Sequence, residues 1–326
     1  SWSPLAALLP EHTTPDLLYL ETKWAALMSY GLTVKLLQDV LPMDEHLEAV
    51  TIRNHVFKVA QRLEDALGEE QGSFIDSCPA EWSLLPIPDG PLTVGIDGGY
   101  VKAQGKSGSF EVIAGKSLLA FHRGEEAQEP VSSKCFAFVQ TYDEQPKRRL
   151  FEVLQSQGHQ LNQHITLLSD GGETVRDLQL YLNPQAEHLL DWFHVTMRLT
   201  VMQQTAKSLP ETTQDEERTY AVRAPVMKEL ERLKWCLCND NMYQDFQVTQ
   251  SVEGDLEVAM ATGTDATARK LLKAVEEFHT DIENNANFIP HYGERYRQGE
   301  RISTGFVEST VNQVISKRMV KKQQMH

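Results

Sequence analysis

Basic residues are in short supply. Against 46 aspartates and glutamates stand 31 lysines and arginines, a formal net charge of −15. A balance that acidic argues against a generally basic surface as the means of holding nucleic acid. Cysteine is scarcer still, with residues at 78, 135, 236 and 238 only. They are too few and too scattered for a disulfide framework, which fits a reducing compartment. Cys236 and Cys238 stand too close together for a zinc knuckle, and no histidine-rich partner follows them. Long apolar runs are missing too. No stretch approaches a membrane span, and no charged-then-apolar leader marks a secretory signal. The expectation is a cytoplasmic protein with no membrane partner.

What is present suits a globular chain: 326 residues, 41% of them hydrophobic, enough for one large domain or two moderate ones. Residues 1–75 read as helices. "DLLYLETKWAALMSY" has helical spacing, with Gly31 as its stop. "TVKLLQDVLP" reads as a short helix ended by Pro42. In "VTIRNHVFKVAQRLEDAL" the apolar residues Ile52, Val56, Val59, Leu63 and Leu67 recur near the 3.6 period, with Thr51 as N-cap. Arg53, Asn54 and Lys58 then face outward. This fits a helix-turn-helix placed against DNA, and equally a helical hairpin used only for packing. The proline-studded stretch across residues 76–90 reads as a linker.

From Pro91 the pattern changes. "LTVGID", "FEVIAGKSLLAF" and "KCFAFVQ" read as three successive strands. "PKRRLFEVLQSQG" follows as a helix, "HITLLSDGG" as a strand, "TVRDLQLYL" as a helix, "AEHLLDWF" as a strand and "HVTMRLTVMQQTAKSL" as a helix. The order βββαβαβα over 91–205 predicts an α/β core with parallel pairing in its later part. Residues 206–290 show helical patterning and no strand, with "ATARKLLKAVEEFHTDIEN" as one long helix. Residues 291–326 close with the helix "TGFVESTVNQVISKRMVKKQQ", Thr304 near its start. The chain opens on Ser1 and stops inside that helical pattern, so it is expected to be a piece of a longer one.

Two strands reach an aspartate followed by two glycines, at Asp97 and Asp170. Each alone fits an ordinary turn, and Gly-x-Asp-Gly-Gly also fits a phosphate loop. Two carboxylates on neighbouring strand ends repel unless a cation neutralises them or one binds a proton. Hard oxygen donors of this kind suit Mg²⁺ or Mn²⁺, and the glycines would let a substrate backbone approach. Two metal ions at one phosphodiester need more than two carboxylates. Glu308, the only acid in the last helix, is the candidate third ligand.

"GIDGGYVKA…FEVIAGKS", "SDGGETVRDLQLYLNPQAEHLLDWFHVTMRL" and "RISTGFVESTVNQVISKRMVKKQQ" together resemble bacterial insertion-sequence transposases of the ISKra type. These are DDE recombinases with a ribonuclease-H-like core. The resemblance implies a catalytic and metal-binding triad of Asp97, Asp170 and Glu308 holding two Mg²⁺ or Mn²⁺ ions. It makes residues 206–290 an all-helical insertion, and makes Asp191 and His194 of "DWFH" a D-x-x-H element that supports the site. The implied partners are double-stranded DNA, at transposon ends and target, and further copies of the chain assembled on it. The implied location is the nucleoid. Lys102, Arg176 and the cluster Lys317, Arg318, Lys321 and Lys322 are the expected phosphate contacts, beside Arg53, Asn54 and Lys58. Family members carry a cysteine-bearing DNA-binding region before the segment seen here and a further helix after it. Two other readings stay open: a DNA-binding relic that does not cut, and a sugar kinase of the actin-like group.

Overall fold

A computed structural model describes residues 13–42, 47–69, 79–82, 84–86, 90–102, 108–119, 133–139, 145–172, 177–178, 181, 186–214, 219–261 and 266–315. Arg176, the basic cluster Lys317, Arg318, Lys321 and Lys322, parts of the expected linker and most of the "TVRDLQLYL" helix lie outside the described residues.

Among the described residues three helices come first: α1 (Pro15–Ala25), α2 (Tyr30–Val40) and α3 (Ala49–Leu67). Thr14 caps α1 by accepting the Leu17 N–H at 3.3 Å. Ala25, Val34, Leu37 and Ile52 form the cluster they share, and a buried Glu21–His55 pair at 2.6 Å joins α1 to α3. Two expected boundaries shift. Gly31 is not the stop of the first helix but the second residue of α2, because the chain breaks earlier, at Ser29, whose extended backbone (φ −65°, ψ 152°) opens a new helix. Likewise α3 begins at Ala49 after Glu48, so Thr51 lies inside the helix and is not its cap. Leu63, expected inward, is exposed. The far half of α3 leaves the helical cluster, and its Glu64 takes a bidentate pair from Arg149 at 2.8 and 2.9 Å. A single turn, α4 (Pro79–Trp82), lies within the expected linker.

The sheet follows: β1 (Leu92–Lys102), β2 (Ser109–Leu119), β3 (Ser133–Val139), helix α5 (Pro146–Gln155), β4 (Ile165–Ser169) and β5 (Glu187–Leu190). The spatial order is β3-β2-β1-β4-β5. β1, β2 and β3 are antiparallel neighbours, while β4 runs parallel to both β1 and β5. The fold is therefore mixed α/β around a five-stranded mixed sheet. Side chains alternate across a strand, and β1 uses its two faces differently. Leu92, Val94 and Ile96 pack with Ile113, Phe136, Phe138 and with Leu150 and Leu154 of α5. Its other face carries Thr93, Gly95, Asp97, Gly99 and Val101.

Among the described residues, helices α6 (Trp192–Ala206), α7 (Arg223–Cys238), α8 (Met242–Ala261), α9 (Ala266–Asn284) and the short α10 (Tyr292–Arg297) come next. They bury a second core that includes Leu199, Leu230, Val252, Leu271 and Phe278. Among the described residues no helix is long and apolar enough to cross a membrane. Three sequence expectations are corrected here. "AEHLLDWF" is a strand only to Leu190, since Asp191 caps α6 and the helix starts at Trp192. The 206–290 region is not all-helical: β6 (Thr212–Gln214) and β7 (Thr219–Ala221) form an antiparallel hairpin. Three-residue strands, "TTQ" and "TYA", are too short to show a period in sequence. The closing helix is also broken. A 3-10 turn over Thr304–Phe306 precedes α11 (Glu308–Val311), which runs on as a π turn over 312–315.

Candidate active site

Asp97 does not end its strand. It lies in the middle of β1, where pairing changes character: the parallel ladder to β4 stops at Gly95↔Leu168, while the antiparallel ladder to β2 continues to Lys102↔Ser109. Two residues beyond Gly95 and Leu168 stand Asp97 and Asp170. The β4–β5 ladder ends at Ser169↔Leu190, and one residue beyond it stand Asp170 and Asp191. The Asp191 N–H still donates to the Ser169 carbonyl at 2.7 Å. Three aspartates thus stand side by side at the carboxyl edge of the parallel strands, on neighbours about 4.8 Å apart, close enough for the charges of Asp170 and Asp191 to act on Asp97. That edge is where open α/β sheets bring functional groups together.

Glu308 reaches this face through the glycines of β1. A Cβ on Gly95 would lie 2.5 Å from Val307 and 2.7 Å from Phe306, and one on Gly99 would lie 2.7 Å from Ile315. Val101, Val112 and Ile315 close the same contact. The room Gly95 and Gly99 leave is filled by the chain's own closing segment rather than by substrate, which corrects the role expected of Gly99. Gly171 acts similarly behind Asp170. It has φ +90°, and its Cβ would fall 2.4 Å from the amide oxygen of buried Asn285.

The electrostatics follow the geometry. Burial pushes the Asp97 carboxyl above its ordinary value, the Gly98 N–H donating to it at 2.8 Å pulls it back, and the charges of Asp170, Asp191 and Glu308 push it further up. Asp170 accepts the Gly172 N–H at 3.2 Å, and both Asp170 and Glu308 are exposed. A hard divalent cation suits this donor set, because it would offset the mutual repulsion that now falls on Asp97. Among the described residues, however, no three His, Cys, Asp or Glu side chains are drawn together at metal-holding spacing.

Asp191 and His194 do different things. Asp191 is 3% exposed. One of its oxygens accepts the Phe193 and Thr304 N–H groups, each at 2.9 Å. The other accepts the His194 N–H at 3.3 Å and the Thr304 hydroxyl. Its acceptor capacity serves the start of α6 and the approach to Glu308. The His194 ring turns away to α9, with Nε2 3.9 Å from Asp281, which Arg198 holds at 2.5 Å. Asp281 in turn accepts from Asn285 at 3.2 Å, so α6 and α9 are joined behind Gly171. Sequence reasoning missed Asn285, Asp281 and Arg198. Only contacts between distant segments reveal them.

Of the DNA-contact candidates, Arg53, Asn54 and Lys58 are exposed on α3, with Arg53 stacked over Phe57 at 5.2 Å, and Lys102 is exposed at the end of β1. No protein-family model matches the chain, and no curated protein matches it.

Proposed function

We propose that the chain cuts and joins DNA as a DDE transposase of the insertion-sequence type, on a ribonuclease-H-like core. The observation that carries this reading is the shared register of Asp97 and Asp170 at the carboxyl edge of parallel β1 and β4, with Glu308 packed across the same face. The element order and the mixed five-stranded sheet are compatible with that core. In this reading residues 91–205 and 291–326 form the core, 206–290 the insertion, 76–90 a linker and 1–75 a helical region available to DNA. Two Mg²⁺ or Mn²⁺ ions held by Asp97, Asp170 and Glu308 would supply the Lewis acidity that activates water or a DNA 3′-hydroxyl and stabilises the leaving oxygen. The chain's own part is to bring three carboxylates to one face, where a cation would offset the repulsion that raises Asp97. Exposed Asp170 and Glu308 leave that face open to a phosphodiester, and Lys102, Arg53 and Lys58 are available to DNA phosphates. Assembly on double-stranded DNA as a homo-oligomer, in the nucleoid, belongs to the same proposal.

A kinase of the actin-like group calls for a second domain with a similar sheet. Among the described residues the only other sheet is the β6–β7 hairpin. The test is a metal-dependent nicking assay on DNA carrying the ends of the element. Metal-dependent cuts at the ends are the expected result. Binding without cutting would favour a DNA-binding relic, and ATP hydrolysis without DNA would favour the kinase.

A further inference from the structure

Asp191 stands third in the aspartate row, and by position alone it would count as a ligand alongside Asp97 and Asp170. Its hydrogen bonds say otherwise. Both oxygens are spent on donors: the Phe193 and His194 N–H groups at the start of α6, and the N–H and hydroxyl of Thr304. Thr304 is itself 2% exposed, so no water competes for these bonds. The neighbouring Trp192 N–H donates to the Ile302 carbonyl at 3.1 Å. The segment entering Glu308 is thereby stitched to the end of β5 at two successive points. From Thr304 the link to Glu308 is short and rigid. The Val307 N–H donates to the Thr304 carbonyl at 2.6 Å, and the Thr310 and Val311 N–H groups donate to the Val307 carbonyl at 2.7 and 3.0 Å.

From this geometry we infer that Asp191 is a positioning residue, which sets the place of Glu308 through Thr304 and is not itself a metal ligand. The inference rests on the proposed carboxylate site, and it assigns to the side-chain bond between Asp191 and Thr304 the job of holding the third acid against the sheet face of the first two. A buried carboxylate serves well in that place. It accepts two donors from each of two segments, and charge-assisted bonds are the stronger kind.

Asp191→Ala would also uncap α6, so the decisive variant is Thr304→Val, which keeps the size and the N–H bond and removes only the hydroxyl. Hydrogen exchange on the metal-free full chain is the first readout. Thr304→Val should speed exchange of the Val307, Thr310 and Val311 amides about tenfold, as local opening costs one hydrogen bond less. Thr304→Ser should restore the wild-type rate. The second readout is titration with Mn²⁺ alone. Thr304→Val should weaken Mn²⁺ binding in the wild-type background and have no further effect once Glu308→Gln is present, as coupled sites do in a double-mutant cycle. Unchanged exchange in Thr304→Val overturns the inference, and so does a Thr304→Ser variant that behaves like valine. Equal losses of Mn²⁺ affinity with and without Glu308 would also overturn it. If the wild-type chain and Asp97→Asn take up Mn²⁺ alike, the metal reading fails instead, and the exchange rates still decide whether Asp191 holds the segment.

Discussion

The sheet and the helical parts of the chain each hold an aspartate whose carboxyl is raised and each contain a glycine, and they use them differently. In the sheet, Asp97 has Asp170, Asp191 and Glu308 for neighbours, and their charges add to burial in raising its carboxyl. In the helices, Asp245 near the start of α8 is 1% exposed, and burial alone pushes it up to about 7. One of its oxygens has no hydrogen-bond partner. Gly99 of β1 lies against Ile315, whereas Gly31 of α2 has nothing within 4 Å of where a Cβ would sit. A perturbed acid or a glycine is therefore weak evidence of a site. What marks the sheet is company, acids that feel one another and glycines that something else fills.

The largest expected effect lies at the sheet acids. Asp97→Asn, Asp170→Asn or Glu308→Gln should each lower metal-dependent cleavage by roughly a thousandfold or more, because the three act as one unit. Single-turnover nicking measures it, and a residual rate within tenfold of wild type would break the triad. Asp97→Asn should at the same time raise the melting temperature near neutral pH. A carboxyl raised by folding binds protons more readily in the native state than in the unfolded one. Its stabilising contribution is whole below the unfolded value and is lost as pH rises through the folded one. Asparagine removes that loss.

Asp245 separates the two cases. Its stability contribution should be present below pH 4 and decline until about pH 7. At pH 8 Asp245→Asn should stabilise the fold by roughly 2–4 kcal/mol and flatten stability against pH across that window. Cleavage should be unchanged at a temperature where both proteins are folded. Thermal melts from pH 4 to 8 check the first part. Cleavage loss as deep as that of Asp97→Asn would erase the distinction between the regions.

Gly99→Val tests the packing side. The added methyls would meet Ile315, and overfilling a closed contact costs about 1–3 kcal/mol. Because the displaced segment carries Glu308, cleavage should fall by more than the stability loss explains. Denaturant unfolding beside nicking rates shows whether the two losses part.

Sequence made the strands legible, because runs such as "LTVGID" and "HITLLS" are rich in β-branched and apolar residues, although β1 runs on through Gly98 and Gly99 to Lys102. Their acids were legible for the same reason, since a charge directly after such a run stands out. Asp191 does not stand out as a cap because apolar residues flank it on both sides, Leu189 and Leu190 before it and Trp192 and Phe193 after it. Periodicity cannot tell strand from helix start there, although an Asp directly before a helix is itself an N-cap signal. Asp245 was invisible in "MYQDFQVTQ", where nothing local says that the acid faces a core. The β6–β7 hairpin lacked the length to show a pattern. The glycines were noticed for the wrong partner, because a sequence shows the room a glycine leaves but not which segment fills it.

Gly31 carries the smallest prediction and the sharpest contrast with Gly99. Its place in the sequence suggests a helix stop, yet it is the second residue of α2, exposed, with no positive φ and no neighbour at its Cβ position. A glycine in that place gives up chain entropy on folding and receives no contact in return. Gly31→Ala should therefore stabilise the chain by about 0.5 kcal/mol and leave cleavage untouched. If Gly31→Ala destabilises instead, the turn before α2 needs a backbone freedom that its angles do not show. The stop would then belong at Gly31 after all, and glycines of the helical region would be as constrained as those of β1.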